Sequence, residues 1–185
     1  MSRAFVTERD GDAAGTDLPD RPVSPHPNYV TPTGLETLRR QADELRAERD
    51  AIAARPGDLS AVARRKALDR DLRWLAARLA SAIVVDPAPQ PRDEVRFGAT
   101  VTVVDEDAVL SKFTIVGEDE AEPEAGRVSW VSPLARVVSG ARVGDEVVWR
   151  RPSGDLVLLV VGIGYSGVGG MNDSCGAGED RTPGL

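Results

Sequence analysis

The side chains that most often do chemistry are scarce in this sequence of 185 residues. A single cysteine, Cys175, and a single histidine, His26, can build neither a disulfide nor a zinc site between them. His26 stands between two prolines, so we assign it to the surface with no catalytic role. The other residues offer no nucleophile–base pair, phosphate loop or metal-ligand cluster. We therefore predict a protein that is not an enzyme and has no catalytic residue, metal site or cofactor.

Charged side chains are the remaining candidates for a functional role. The Pro56-Gly57 pair interrupts any helix at this point. Basic residues lie on both sides of it, namely Arg55, Arg64, Arg65 and Lys66. They could contact the phosphates of a nucleic acid. Equally, they could form salt bridges along the helix faces, each contributing about 0.2–0.5 kcal/mol. The sequence favours neither reading. Asp58, directly after the break, is a candidate N-cap for the segment that follows.

Two helices must position these charges. Apolar or small residues recur at heptad spacing from Leu35 to Ile52 and predict a helix from about Pro32 to Ala54. The same spacing from Ala61 to Ala82 predicts a second helix. Because Pro56-Gly57 prevents one continuous helix, we predict an antiparallel coiled-coil hairpin within one chain. The alternative is a dimeric coiled coil.

The second half of the chain alternates between polar and apolar residues, as half-buried strands do. We predict strands at Val95–Val104, Lys112–Val116, Arg127–Val131, Glu146–Arg151 and Leu156–Ile163. Gly98 predicts a bulge in the first of them. A short helix lies between the third and fourth, where Ser132 can be the N-cap, Pro133 the first helical residue and Gly140 the left-handed stop. The fold class is therefore α+β.

Composition limits the partners. The chain is 41% hydrophobic and 29% charged, and its formal charge of -7 argues against a general nucleic-acid coat. The sequence has no membrane-spanning run and no signal core, and one cysteine fits a reducing compartment, so we expect a cytoplasmic protein. We divide the chain into a disordered N-terminal arm (1–28), the hairpin (29–86), a linker (87–92), a C-terminal domain (93–165) and a disordered tail (166–185). For the arm, a solvated tail is favoured over a segment that lies on the body.

Two motifs resemble the C-terminal domain of the Gre transcription elongation factors. One is Ser129-Trp130-Val131-Ser132-Pro133-Leu134-Ala135-Arg136, followed by Val143-Gly144-Asp145. The other is Ile115-Val116-Gly117-Glu118-Asp119-Glu120. Their order, behind a helical hairpin that opens with Thr31-Pro32-Thr33-Gly34-Leu35, makes the resemblance strong. The proline-rich arm is more similar to GreB-like members.

The resemblance implies an antiparallel β-sheet domain with a fold like the FKBP prolyl isomerases, behind a hairpin that enters the secondary channel of bacterial RNA polymerase. It implies a monomer that regulates elongation and helps to cleave backtracked transcripts, with nascent RNA as a further contact. Polymerase docking would fall to Asp119, Glu120, Ser132, Pro133 and Leu134. Asp58 at the hairpin tip would help to hold a magnesium ion in the polymerase.

The tip departs from the family pattern. After Asp58 no second acid follows until Asp69, about three helical turns further on. Both helices of the hairpin are also shorter than the family's helices by roughly one heptad. Asp58 as a plain helix cap is therefore an open alternative to a metal-directed Asp58. At the level of function, the alternatives are a Gre homologue that blocks the channel without cleavage and, less favoured, a chaperone-like peptide-binding module.

Overall fold

The computed structural model describes residues 19–53 and 59–165. Helix α1 runs over Pro32–Ala53 and helix α2 over Leu59–Ala80, each of 22 residues. At about 1.5 Å per residue, each helix is roughly 33 Å long. The two pack side by side as a hairpin within one chain, as predicted. Their contact is apolar near the base, where Leu38, Ala42 and Leu75 are buried.

A small parallel sheet lies at the base of the hairpin and was not predicted. Strand β1 (Asn28–Val30) precedes α1, and strand β2 (Ala82–Val84) follows α2. The Asn28 side-chain amide donates a 2.7 Å hydrogen bond to the backbone carbonyl of Arg78. Val30 is fully buried in the hairpin core. Strands of three residues are too short to show an alternating pattern in the sequence.

The C-terminal domain is a five-stranded sheet with the order β5-β4-β3-β7-β6. Its strands are β3 (Ala99–Asp105), β4 (Leu110–Val116), β5 (Arg127–Ser129), β6 (Glu146–Trp149) and β7 (Leu156–Tyr165). The prediction of an antiparallel sheet is wrong for one pair, because β4 and β5 run parallel. The segment between these two strands forms two 3-10 turns, Glu118–Glu120 and Pro123–Ala125, and brings the chain back beside Thr114 of β4, where β5 begins.

Helix α3 (Pro133–Val138) covers one face of this sheet. The predicted N-cap is confirmed, since the Ser132 hydroxyl accepts a 3.1 Å hydrogen bond from the Ala135 amide. The predicted stop at Gly140 is also confirmed. Ser139 has extended backbone and caps the end, and the left-handed Gly140 follows it with φ of 83°. The core beneath consists of Val95, Ala99, Val101, Val103, Phe113, Ile115, Ala135, Val138, Ala141, Leu158 and Val160.

The bulge predicted at Gly98 lies elsewhere. Gly98 precedes β3 in a left-handed turn with φ of 85°, where an added Cβ would stand 2.7 Å from Pro87 Cβ. The irregularity of the sheet falls opposite Thr102 and Val103, where the β7 register skips Val161. Within the described ranges, no helix is long and apolar enough to cross a membrane.

Candidate functional site

A buried arginine joins the hairpin to the C-terminal domain. Arg78, near the end of α2, has a side chain only 2% exposed. Its Nε donates a 2.6 Å hydrogen bond to Asp119 Oδ2, and its Nη2 lies 3.8 Å from Glu118 Oε2. In the sequence, Arg78 is one of several arginines of the second helix, which could contact phosphates or form salt bridges along the helix faces. Its side chain instead points into the joint between the two domains.

The third acid of the same 3-10 turn holds the start of α1. Glu120 accepts a 2.8 Å hydrogen bond from the backbone amide of Thr31 and a second from the Thr31 hydroxyl. That hydroxyl in turn accepts a hydrogen bond from the Gly34 amide at 2.9 Å, so Thr31 is the N-cap of α1. Gly34 is buried against this carboxylate, and an added Cβ would lie 2.0 Å from Glu120 Cδ. Asp119 and Glu120 therefore already have partners inside the chain.

The arm contacts the hairpin, so the prediction of a solvated tail is wrong for residues 19–28. The guanidinium of Arg21 lies 4.0 Å from the centre of the Trp74 ring, a cation–π contact. Arg73 makes a 2.8 Å ion pair with Asp20, and the Trp74 indole donates to the carbonyl of Pro22 at 3.3 Å.

The same arm also contacts the C-terminal domain. The Ser24 hydroxyl donates a 2.9 Å hydrogen bond to Glu118. His26 is exposed and meets Trp130 edge to face, with ring centroids 6.1 Å apart. Tyr29 packs against the same indole at 5.0 Å. Since these contacts bridge α2 and the sheet domain, the arm adds a second connection beside the Arg78 joint.

The basic cluster of the hairpin is only partly free. Arg64 makes a bidentate pair with Glu48 across the two helices, with hydrogen bonds of 2.8 and 2.9 Å. The hydrogen bond from Arg64, followed by its charge, lowers the pKa of Glu48. Arg65 is exposed and lies 3.9 Å from Asp69. The salt-bridge reading therefore holds for Arg64; Lys66 also has an interaction partner, and Arg55 lies outside the described residues.

The tip itself, with Asp58, lies outside the described residues. The next acid along the helix, Asp69, stands between two arginines, 4.0 Å from Arg49 and 3.9 Å from Arg65. Its charge is therefore balanced within the hairpin. In the described part of the chain, no group of three histidine, cysteine or acidic side chains could hold a metal ion.

Comparison with known proteins decides the family. The family model described as "Transcription elongation factor, GreA/GreB, C-term" matches residues 90–165. The transcription elongation factor GreB of Neisseria meningitidis serogroup B is 37% identical over 75% of this chain and 94% of its own length. GreA of Sphingopyxis alaskensis is 41% identical over 71% of this chain and 92% of its own. The chain belongs to the GreA/GreB family. A solved structure, the elongation factor GreA/GreB from Nitrosomonas europaea, is 27% identical, covers 74% of this chain and 98% of its own, and has a TM-score of 0.38.

Relatives of both subtypes are similar to this Gre-family chain, so the comparison does not favour GreB over GreA. Of the docking residues expected in α3, Ser132 is the helix cap, Pro133 is exposed and Leu134 packs against the core. Sequence reasoning missed Arg78 and Asn28 as joint residues. Two signals were available: a polar Asn28 directly before Tyr29 and Val30, and the position of Arg78 three residues after Leu75, on the apolar side of α2.

Proposed function

We propose that this chain is a transcription elongation factor that binds bacterial RNA polymerase and places its helical hairpin in the secondary channel. The observation that carries the proposal is the joint. Arg78–Asp119 and Thr31–Glu120 fasten both helices of a rod roughly 33 Å long, at about 1.5 Å per residue, to the sheet domain. The names of its GreA and GreB relatives support the elongation role.

If the hairpin is held rigidly, docking of the sheet domain would also position the hairpin tip. If the sheet domain binds the outside of the polymerase, a rigid joint determines where the tip lies inside the channel. Binding then costs little conformational entropy, because the hairpin is already held in place. Pro133, exposed at the start of α3, is one candidate for such docking. Exposed basic residues such as Arg65 would face the channel wall or nascent RNA. We further propose that the protein acts as a monomer. Its location would be the cytoplasm, where bacterial RNA polymerase works.

The chemistry at the tip would belong to the polymerase. Magnesium prefers carboxylate oxygens, and in hydrolysis of a phosphodiester it positions the attacking water. Asp58 would contribute one carboxylate to an ion that the polymerase holds. The factor would thus lend a group to another enzyme and catalyse no reaction alone.

A second candidate is a channel occupant that does not support cleavage. It is favoured by Asp69, whose charge is already balanced by Arg49 and Arg65. With Asp69 unavailable, Asp58 is the only acid between Asp50 and Asp71 that could face the ion. A single carboxylate would hold a shared cation weakly, and the hairpin would then regulate by excluding other factors or nucleotides.

The test is transcript cleavage by purified RNA polymerase in a backtracked complex. We expect cleavage to rise with the unmodified protein and to fall to the level of polymerase alone with Asp58→Ala. Glu106→Ala is the matched control, since Glu106 is an exposed acid in the turn between β3 and β4. Binding without stimulation, together with displacement of a cleavage-competent Gre factor, would establish the second candidate. Absence of binding would refute both.

A further inference from the structure

We propose that the open edge of strand β6 binds a second copy of this chain, with the two β6 strands antiparallel about Val148. The pairing belongs to the free protein, whereas the proposed function needs one chain on one polymerase. It therefore goes beyond that function and can be tested without polymerase.

The two edges of the five-stranded sheet differ. Strand β5 forms one edge, and its outer side is covered, because Glu122 and Arg127 exchange two backbone hydrogen bonds of 2.9 and 3.0 Å. The Ser129 carbonyl on the same side accepts from the Ser132 amide at 2.9 Å. Strand β6 forms the other edge and pairs only with β7 in the described part of the chain. An open strand edge can take up another strand.

Every second residue of β6 directs its backbone amide and carbonyl to this open edge. The Asp145 carbonyl accepts a 2.9 Å hydrogen bond from the Val160 amide, so Asp145 faces β7. Because the direction alternates along an antiparallel strand, the residues with outward backbone groups are Glu146, Val148 and Arg150.

The sequence along this edge is complementary to itself. Two acids stand at one end, two bases at the other and a valine at the centre, in the order Asp145-Glu146-Val147-Val148-Trp149-Arg150-Arg151. In an antiparallel pair about Val148, Glu146 would lie opposite Arg150 of the partner subunit, and Asp145 opposite Arg151 of the partner subunit. Opposite charges on directly paired residues of neighbouring strands stabilise the pair, and like charges destabilise it.

The register that pairs the charges is also one that the backbone allows. It pairs Glu146, Val148 and Arg150 only with one another, and these are the residues whose backbone groups point outward. A shift by one residue would set outward groups against inward ones, and a shift by two would place Val148 opposite a charge. A parallel pair would set each acid against the same acid. The antiparallel register about Val148 is therefore selected twice, by charge and by hydrogen bonding.

Glu146 and Arg150 are available for these pairs. Both are exposed, and neither has an ion pair or a side-chain hydrogen bond within residues 19–53 and 59–165. Val148 between them is 48% exposed. Charges often protect an edge strand from pairing. Here charges of opposite sign stand at the two ends of the strand, so they attract a second copy instead of repelling it.

The assembly would close at two copies. An interface in which the same patch of both subunits meets about a two-fold axis uses up that patch, and the β5 edge is covered. A single pair of short strands is a small interface, so we expect a dimer that dissociates on dilution.

The first experiment is sedimentation velocity of the full chain over a range of concentrations, in a Cys175→Ser background that excludes disulfide-linked dimers. We expect a reversible monomer–dimer equilibrium. Glu146→Arg and Arg150→Glu should each weaken the dimer about tenfold or more, because each sets like charges opposite one another at two symmetric positions. An equimolar mixture of these two variants should dimerise again, since unlike charges then meet at both positions.

The matched controls make the same charge changes on helix α1. Glu36→Arg and Arg39→Glu alter exposed residues of the hairpin and should leave the dimer unchanged. Circular dichroism checks that every variant is folded. The pairing is overturned if the unsubstituted chain stays monomeric at every concentration, if the mixture stays as monomeric as its two components, or if both single variants dimerise like the parent.

A disulfide tests the register separately. In a hydrogen-bonded antiparallel pair, opposite Cα atoms are about 5.5 Å apart, which a disulfide can span. In the Cys175→Ser background, Val148→Cys should therefore form a covalent dimer on mild oxidation. Val143→Cys, at a residue 57% exposed in the turn before β6, should not. Equal crosslinking at the two positions would overturn the register.

Discussion

At the scale of single residues, the molecule depends on charged groups that are buried and partnered. Arg78 is inaccessible, and its charge is matched by Asp119 and Glu118 from a different domain. Removing one partner from such a group leaves an uncompensated buried charge, which destabilises far more than the loss of an exposed pair. The joint should therefore be the most sensitive polar site of the described chain.

Substitution of Asp119, the hydrogen-bond partner of Arg78, tests this directly. We expect Asp119→Ala, which leaves the Arg78 guanidinium buried, to lower the free energy of unfolding by about 3–5 kcal/mol. Asp69→Ala, at an exposed pair on the same helix, should lower it by about 1 kcal/mol or less. Urea unfolding followed by circular dichroism measures both. Equal effects of the two substitutions would show that Arg78 does not hold the domains together.

Gly34 offers a second residue-scale prediction. Gly34→Ala should destabilise the protein, because the new Cβ would overlap the Glu120 carboxylate and displace the cap of α1. In a Glu120→Ala background the same substitution should be neutral or stabilising, since alanine is favoured over glycine in helices by about 1 kcal/mol. A double-mutant cycle in urea separates the two effects. Additive effects in the cycle would contradict the proposed contact.

At the scale of elements, the hairpin is apolar at its base and ionic towards its tip. Leu38, Ala42 and Leu75 are buried near the sheet domain. Further out, the helices are linked by the Glu48–Arg64 pair, whose side chains are 41% and 54% exposed. The contact between the two helices should therefore depend on pH and salt at the Glu48–Arg64 pair and not at the apolar contact of Leu38, Ala42 and Leu75.

The Glu48–Arg64 pair determines the direction in which the stability of the hairpin changes with pH. Arg64 lowers the pKa of Glu48 in the folded state. The stabilisation is thus present above the unfolded-state pKa of about 4.3 and is lost as pH falls through the lower folded value. Glu48→Gln should reduce the urea midpoint at pH 7, by an amount that shrinks in acid and in high salt. Glu36→Gln, an exposed acid on the same helix, is the control. A pH-independent deficit for Glu48→Gln would contradict the ionic origin.

Elements with a repeating pattern could be predicted from the sequence, and those that depend on distant contacts could not. The heptad spacing gave both helices to within a residue or two, and Ser132-Pro133 gave the start of α3. Strands β1 and β2 were missed, and so was the parallel β4–β5 pair. The joint was missed because Arg78 and Asp119 are 41 residues apart in the chain, and a charge pattern within one helix does not reveal a partner in another domain.

At the scale of the whole molecule, three features point in one direction. The hairpin is fastened at its base, the arm bridges the hairpin and the sheet domain, and the sheet domain leaves one face uncovered. A rigid rod attached to a docking domain is suited to reach into a partner from its outer surface.

Insertion of the hairpin is the central claim, and a tethered probe tests it independently of cleavage. In a Cys175→Ser background, an iron chelate on Val62→Cys, a residue 54% exposed in the first turns of α2, would generate hydroxyl radicals near the tip. The same chelate on Val143→Cys would report from the sheet domain. With core RNA polymerase, we expect position 62 to cut the enzyme and the transcript beside the catalytic centre and position 143 to cut only the outer surface. Outer-surface cuts from both positions, with the protein bound, would contradict the account.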